Sequence, residues 1–167
     1  KTISGGVTGD AFGIYANNAL ALSDSTVNLT STSNIDLKGA GKVIGVYLKK
    51  TDVTNAGTIK AESASGGSSI GIYGDESTST SITGSIEVTG GDGTGIYLKN
   101  SNMSSGAAVK VDGVDTGIGM YVEATAGNTS SGTNTGTISV GDNVTGMYGI
   151  GAAAGNTGTI TNSGNIQ

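Results

Sequence analysis

Gly45-Val46-Tyr47, Gly71-Ile72-Tyr73 and Gly95-Ile96-Tyr97 are copies of one triplet, which recurs as Gly13-Ile14-Tyr15, Gly119-Met120-Tyr121 and Gly146-Met147-Tyr148. The six copies contain all 6 tyrosines of the chain, and successive tyrosines lie 32, 26, 24, 24 and 27 residues apart. A recurrence of that length is the signature of a solenoid, in which each repeat is one supersecondary unit stacked on the next.

Around each triplet the residues alternate. Every second position reads Phe12-Ile14-Ala16, Ile44-Val46-Leu48, Ile70-Ile72-Gly74, Thr94-Ile96-Leu98, Ile118-Met120-Val122 and Thr145-Met147-Gly149. The intervening positions carry the motif glycine, the tyrosine and often a charge, as in Lys49, Lys99 and Glu123. Alternation with period two marks a half-buried strand. It predicts that the first set faces a core and that glycine and tyrosine both face outward.

A second signal follows about half a repeat later, a glycine and then a β-branched residue: Gly57-Thr-Ile59, Gly84-Ser-Ile86, Gly106-Ala-Ala-Val109, Gly136-Thr-Ile138 and Gly158-Thr-Ile160. The distance from tyrosine is 12 residues for Tyr47 to Ile59, Tyr97 to Val109 and Tyr148 to Ile160. A weaker third strand falls between, at Val53, Ile82 and Met103, with Val27 and Leu29 in the first copy. Turns rich in Gly, Asn, Ser, Thr and Asp separate the strands.

These signals predict an all-β, right-handed parallel β-helix with residues 1–167 as a single segment. It has about six coils of 24–27 residues and roughly three short strands per coil. At the usual strand spacing the rod is roughly 30 Å long. Where the spacing stretches, loops are expected, at 17–34, 61–69 and 123–134. Residues 17–25 are the one stretch with helical character, through Ala19, Leu20, Ala21 and Leu22. The chain opens and closes within the strand pattern, which suggests an internal piece of a longer protein.

Composition narrows the function. The chain has 167 residues, 31 of them glycine, and no proline or cysteine. It is acidic, with 13 Asp and Glu against 8 lysines and a net charge of −5. Without arginine and with that sign, a surface that tracks phosphates is disfavoured, so no nucleic-acid partner is expected. Histidine and cysteine are absent, which removes the usual nucleophile–base pairs. No cofactor or metal site is expected.

Gly95-Ile-Tyr-Leu-Lys-Asn-Ser101 and the stretch from Asn134 to Gly149 resemble passenger repeats of large type V autotransporter adhesins, Gram-negative outer-membrane proteins. The resemblance implies a passenger displayed at the cell surface, attached to the outer membrane by a C-terminal barrel that lies outside these residues, or secreted. It implies a partner that is a host-cell or bacterial surface protein or glycan. No catalytic motif comes with it, and the chain is expected not to be an enzyme.

The alternative is a carbohydrate-active β-helix enzyme. Its carboxylate candidates are Asp112 with Asp115 and Asp75 with Glu76, which read as turn residues. Gly90-Gly91-Asp92-Gly93-Thr94-Gly95 opens a strand rather than a helix, so it reads as a turn and not a phosphate loop. The outward row Tyr15, Tyr47, Tyr73, Tyr97, Tyr121 and Tyr148 is the candidate binding surface, with Lys49, Lys99 and Lys110 nearby. Its structural reading is a scaffold ladder whose rings cover neighbouring glycines.

Overall fold

The computed structural model describes residues 1–18, 25–112, 114–125 and 127–167, the side chains of 78–80 excepted. The described residues form strands and no helix, and the helical expectation for 17–25 falls mostly outside them. Strands come in threes. The first rung is β1 (Thr2–Val7), β2 (Ala11–Asn17) and β3 (Ser25–Leu29), and the second is β4 (Asn34–Gly39), β5 (Lys42–Lys49) and β6 (Thr51–Asn55). The third is β7 (Thr58–Ser63), β8 (Ser68–Asp75) and β9 (Thr78–Ile82), and the fourth is β10 (Ser85–Thr89), β11 (Asp92–Lys99) and β12 (Asn102–Ser105). Then follow β13 (Ala108–Val111), β14 (Thr116–Ala124), β15 (Thr129–Asn134), β16 (Thr137–Val140), β17 (Val144–Gly151), β18 (Thr157–Asn162) and β19 (Asn165–Ile166).

Each third strand joins the same sheet. Sheet A has seven strands from β1 to β19, sheet B six from β2 to β17, and sheet C six from β3 to β18. The pairings are parallel throughout. The chain is therefore a parallel β-solenoid with three strands per coil, and the rungs of sheet B span five turns from Tyr15 to Tyr148.

Like sits on like. Ile35, Ile59, Ile86, Val109 and Ile138 form one continuous interior row of sheet A, closed at its end by Ile166. Val46, Ile72, Ile96 and Met120 form another in sheet B, all fully buried. Burying one such side chain stabilises by about 1.5–3 kcal/mol. No coil can bury its face alone, so the rows exist only as stacks.

The motif glycine faces the interior, which corrects the expectation that it shares the tyrosine's face. A Cβ built on Gly13, Gly45, Gly71, Gly95, Gly119 or Gly146 would lie 2.3–2.8 Å from a γ-carbon of the β-branched residue on the next sheet-A strand. For the first five it would also lie 2.5–2.7 Å from the carbonyl oxygen of the next motif glycine. Real carbon contacts are never so short, so only hydrogen fits. The rings do not cover these glycines; core methyl groups do.

Because glycine and the residue after it both point inward, the alternation changes phase at the glycine. The pairing register passes over that residue in every pair of sheet B. Residues before the glycine therefore face outward: Phe12 is 47% exposed, and Ile44 and Ile70, although buried, stand outside the core cluster. Val43 takes the interior place expected for Ile44.

Two further expectations change. Ile160 belongs to β18 and pairs with Gly132 in sheet C, so the twelve-residue spacing from Tyr148 does not place it in the isoleucine row; Ile166 takes that place. Residues 129–134 are not a loop but β15, whose inward side is Ser130, Gly132 and Asn134. A Cβ at Gly132 would meet Met120 Sδ at 2.7 Å, so the long methionine fills the space that an apolar residue occupies in other rungs. Among the described residues the connections of four or more residues are 30–33, 64–67 and 152–156; the loop expected over 17–34 contains β3, and most of its remainder lies outside the described residues.

The corners hold buried polar ladders. Between sheets B and C, Thr51 N–H donates to Ser77 Oγ (3.3 Å), Ser77 N–H to Ser101 Oγ (2.9 Å) and Ser101 N–H to Ser130 Oγ (3.1 Å). Between C and A, Gly57 N–H donates to Asn55 Oδ1 (2.9 Å) and Asn134 Nδ2 to Asn162 Oδ1 (2.8 Å). Asn55 faces Ile82 instead of an amide, and among the described residues its Nδ2 has no hydrogen-bond partner. At the A–B corner Ser65 Oγ and Gly66 N–H both donate to Asp115 Oδ2 at 3.1 Å, although a whole rung lies between them.

Glycine positions in sheet B separate by the space they face. Gly71→Ala drives its methyl against Ile86 and the Gly95 carbonyl and lowers stability by about 1–3 kcal/mol. Gly74→Ala places its methyl 3.5 Å from Leu98 Cδ2, an ordinary contact, and raises stability by about 0.4–1 kcal/mol. Urea denaturation midpoints of the two variants against the parent check both signs.

Candidate functional site

The six tyrosines form one column on the outer face of sheet B. Register pairs Tyr15 with Tyr47, Tyr47 with Tyr73, Tyr73 with Tyr97, Tyr97 with Tyr121 and Tyr121 with Tyr148. Ring centroids of successive members are 4.8, 5.1, 4.8, 4.7 and 5.7 Å apart. Three contacts are parallel within 6°. The two made by Tyr97 are edge-on, at 77° and 66°. Tyr97 is turned because its hydroxyl donates to Glu123 Oε2 on the next rung.

Parallel stacking uses up the faces of the rings. What the column offers a partner is a line of phenol edges and hydroxyls. Its ends are open: Tyr15 is 61% exposed and meets Phe12 edge-on at 6.5 Å, and Tyr148 is 46% exposed. Beside the column runs a row of Asn17, Lys49, Asp75, Lys99 and Glu123. Lys49 pairs with Asp75 at 3.3 Å. Lys110 lies on sheet A, pairs with Glu87 and Asp112, and takes no part in this face.

Burial sets the acidity of the inner rings. Desolvation first, and the Asp75 charge second, push the Tyr73 phenol up to about 12 from 10.0. Tyr97 is raised further by desolvation and by its hydrogen bond to Glu123. Tyr47 and Tyr121 are raised by desolvation, with Asp75 and Glu123 respectively adding to it.

The carboxylates weighed for hydrolysis are engaged in the scaffold. Asp75 and Glu76 pair with Lys49 and Lys50, Asp112 with Lys110, and Asp115 holds the Ser65–Gly66 turn. Gly90 and Gly91 form the link into β11 with φ of +72° and +49°, and a Cβ on Gly90 would lie 1.8 Å from the Ser63 carbonyl oxygen. That stretch is a tight turn packed on the rung below. The outer face of sheet A carries a shallow groove between Asp36, Lys38, Lys60, Glu62 and Glu87, bridged by Lys38–Glu62 (2.6 Å) and Lys60–Glu87 (3.2 Å). Among the described residues no three acidic side chains converge as a metal site.

No family model matches the chain. Comparison with curated proteins and with solved structures also gives no match. The reading of this face therefore stands on its own geometry.

Sequence reasoning placed the tyrosines correctly on the outside. It missed Glu123 as the acceptor for Tyr97, although Glu123 stands two residues beyond Tyr121, the partner one repeat of 24 residues on, and so is a diagonal neighbour on the same face. It also missed that Phe12, Ile44, Ile70, Thr94 and Ile118 form an outward row beside the column, apolar except at Thr94.

Two outcomes test this face. Tyr73→Ser removes two ring contacts of about 0.5–1.5 kcal/mol each and leaves a folded, β-rich chain, whereas Ile72→Asp buries an unpaired charge and unfolds several rungs; circular dichroism separates them. The column also makes the fold sensitive to base. An unfolded tyrosine ionises near 10 and Tyr73 near 12, so above pH 10 the unfolded state releases protons that the native state keeps. Stability is full below about pH 10 and falls as pH rises through about 12, read as urea midpoints alongside phenolate absorbance.

Proposed function

We propose that the chain is an adhesive and structural rod segment of a type V autotransporter passenger, displayed at the Gram-negative cell surface and meeting a host-cell or bacterial surface protein or glycan. The parallel solenoid is compatible with such a passenger, and the repeats around Gly95–Ser101 and Asn134–Gly149 support it by resemblance. The observation that carries the adhesive part is the column itself. It repeats hydroxyl-bearing edges at rung spacing along a rigid face, while many charges on sheet A are paired with one another.

With the faces shared by the parallel-stacked rings occupied, a partner is gripped chiefly by hydrogen bonds to phenols and to the charged row. Each neutral hydrogen bond contributes about 0.5–1.5 kcal/mol, so affinity comes from the number engaged.

The test uses immobilised protein against epithelial cells, bacterial cells and a glycan array. The triple variant Tyr47→Phe/Tyr73→Phe/Tyr97→Phe keeps the rings and loses three hydroxyls. Retention falls about tenfold or more, while Lys60→Ala on sheet A leaves it unchanged. Full retention by the triple variant removes the column from the contact. Polysaccharide turnover abolished by replacing one carboxylate sinks the proposal in favour of an enzyme.

A further inference from the structure

The tyrosine column has a property that does not depend on whether the rod binds anything. The chain contains no cysteine and no tryptophan, so tyrosine is its most readily oxidised aromatic side chain. Met103 and Met120 are buried in the core. The 6 tyrosines are in unbroken ring-to-ring contact, with every centroid separation between 4.7 and 5.7 Å. Contacting π systems exchange electrons readily, and the two ends are the rings most open to a reagent, Tyr15 and Tyr148.

Oxidation of a phenol is completed only when its proton leaves, because the radical cation is a strong acid. The column treats its members differently in this respect. Tyr97 donates its hydroxyl proton to the Glu123 carboxylate. The Tyr15 oxygen instead receives a hydrogen bond from Asn17 Nδ2 at 3.4 Å, and no carboxylate among the described residues accepts from it. Tyr97 is also half-buried and turned out of the stack, with Tyr73 and Tyr121 at its edges.

We propose that the column is a one-electron relay that collects oxidising equivalents at its exposed ends and holds them as a neutral radical on Tyr97, with Glu123 as the proton acceptor. A one-electron oxidant takes an electron from Tyr15 or Tyr148, and the phenolic proton goes to water. At each transfer the next tyrosine gives up one electron and one proton, and the preceding radical takes both back as a closed-shell phenol. At Tyr97 the electron passes to the neighbouring radical and the proton to Glu123. The net change is one oxidant reduced by one electron, Tyr97 converted to its phenoxyl radical and Glu123 to its carboxylic acid, with a proton returned from water to the neighbouring ring, Tyr73 or Tyr121, that took only the electron from Tyr97.

Glu123 is a positioning and proton-accepting residue in this scheme, and Glu123→Gln separates the roles. The glutamine oxygen still accepts the hydrogen bond and keeps the packing but cannot take the proton. The experiment flash-oxidises the protein with a photoexcited ruthenium tris-bipyridine complex and persulfate. The radical is followed by transient absorption and electron paramagnetic resonance, with circular dichroism as the folding control.

In the parent the signal is dominated by one hydrogen-bonded tyrosyl radical, which Tyr97→Phe removes. In Glu123→Gln its lifetime falls about tenfold or more. In Tyr73→Phe/Tyr121→Phe the rings on both sides of Tyr97 no longer carry a hole, and the yield at Tyr97 drops. Equal lifetimes in the parent and Glu123→Gln overturn the proposal. So does a radical confined to Tyr15 and Tyr148, or an unchanged yield at Tyr97 in the double variant.

Discussion

The narrowest point of the interior governs this fold. Where sheet B passes the isoleucine row of sheet A, a γ-methyl and a backbone carbonyl already fill the space that a β-carbon would take. Glycine at that point lets the two sheets close on each other, and the carbonyl of one motif glycine rests against the α-carbon of the one before it, a contact of the weak C–H···O kind. The same residue forces two successive side-chain positions inward. That phase change sets the tyrosine three residues after the outward Phe12, Ile44 or Ile70 instead of two. The outer column and the apolar row beside it are thus consequences of an interior packing limit.

Stacking identical rungs turns each local choice into a row. A hydroxyl at a corner finds the amide of the next rung, which is why Thr51, Ser77, Ser101 and Ser130 are all buried yet bonded. An unlike residue interrupts the row on both sides. Ile82 is well buried, but its place between Asn55 and Ser105 leaves the Asn55 amide unpaired. An unsatisfied buried donor costs about 1–3 kcal/mol, so this corner holds its rungs together less well than the fully bonded serine ladder. Left-handed backbone at Lys50, Glu76 and Asn100 shows the same repetition: rungs two to four turn this corner with the same conformation, without a glycine.

The repeat, the three-strand coil and the outward tyrosines were legible because they rest on period and composition, which a single chain displays in full. The face of the motif glycine was not legible, because glycine has no side chain to reveal a phase change; only a neighbour such as Ile59 gives it away. Strand β15 was missed for a related reason. Its inward residues are small or polar, Ser130, Gly132 and Asn134, since Met120 and the corner ladders supply what a strand elsewhere provides with its own methyl groups. Ile160 then stood at the spacing expected of sheet A while belonging to sheet C. Partners on adjacent rungs, such as Tyr97 with its diagonal neighbour Glu123, follow from register and become visible once the coil length is known.

Asp115 reaches past its neighbouring rung to the one beyond. Backbone pairing ties each rung only to its immediate neighbours, and tension along the axis would peel such an array one layer at a time. The carboxylate of Asp115 instead clasps the Ser65–Gly66 turn across the intervening Gly90–Gly91 link. Three layers thereby share load as one mechanical unit, a stiff block within an otherwise evenly extensible column.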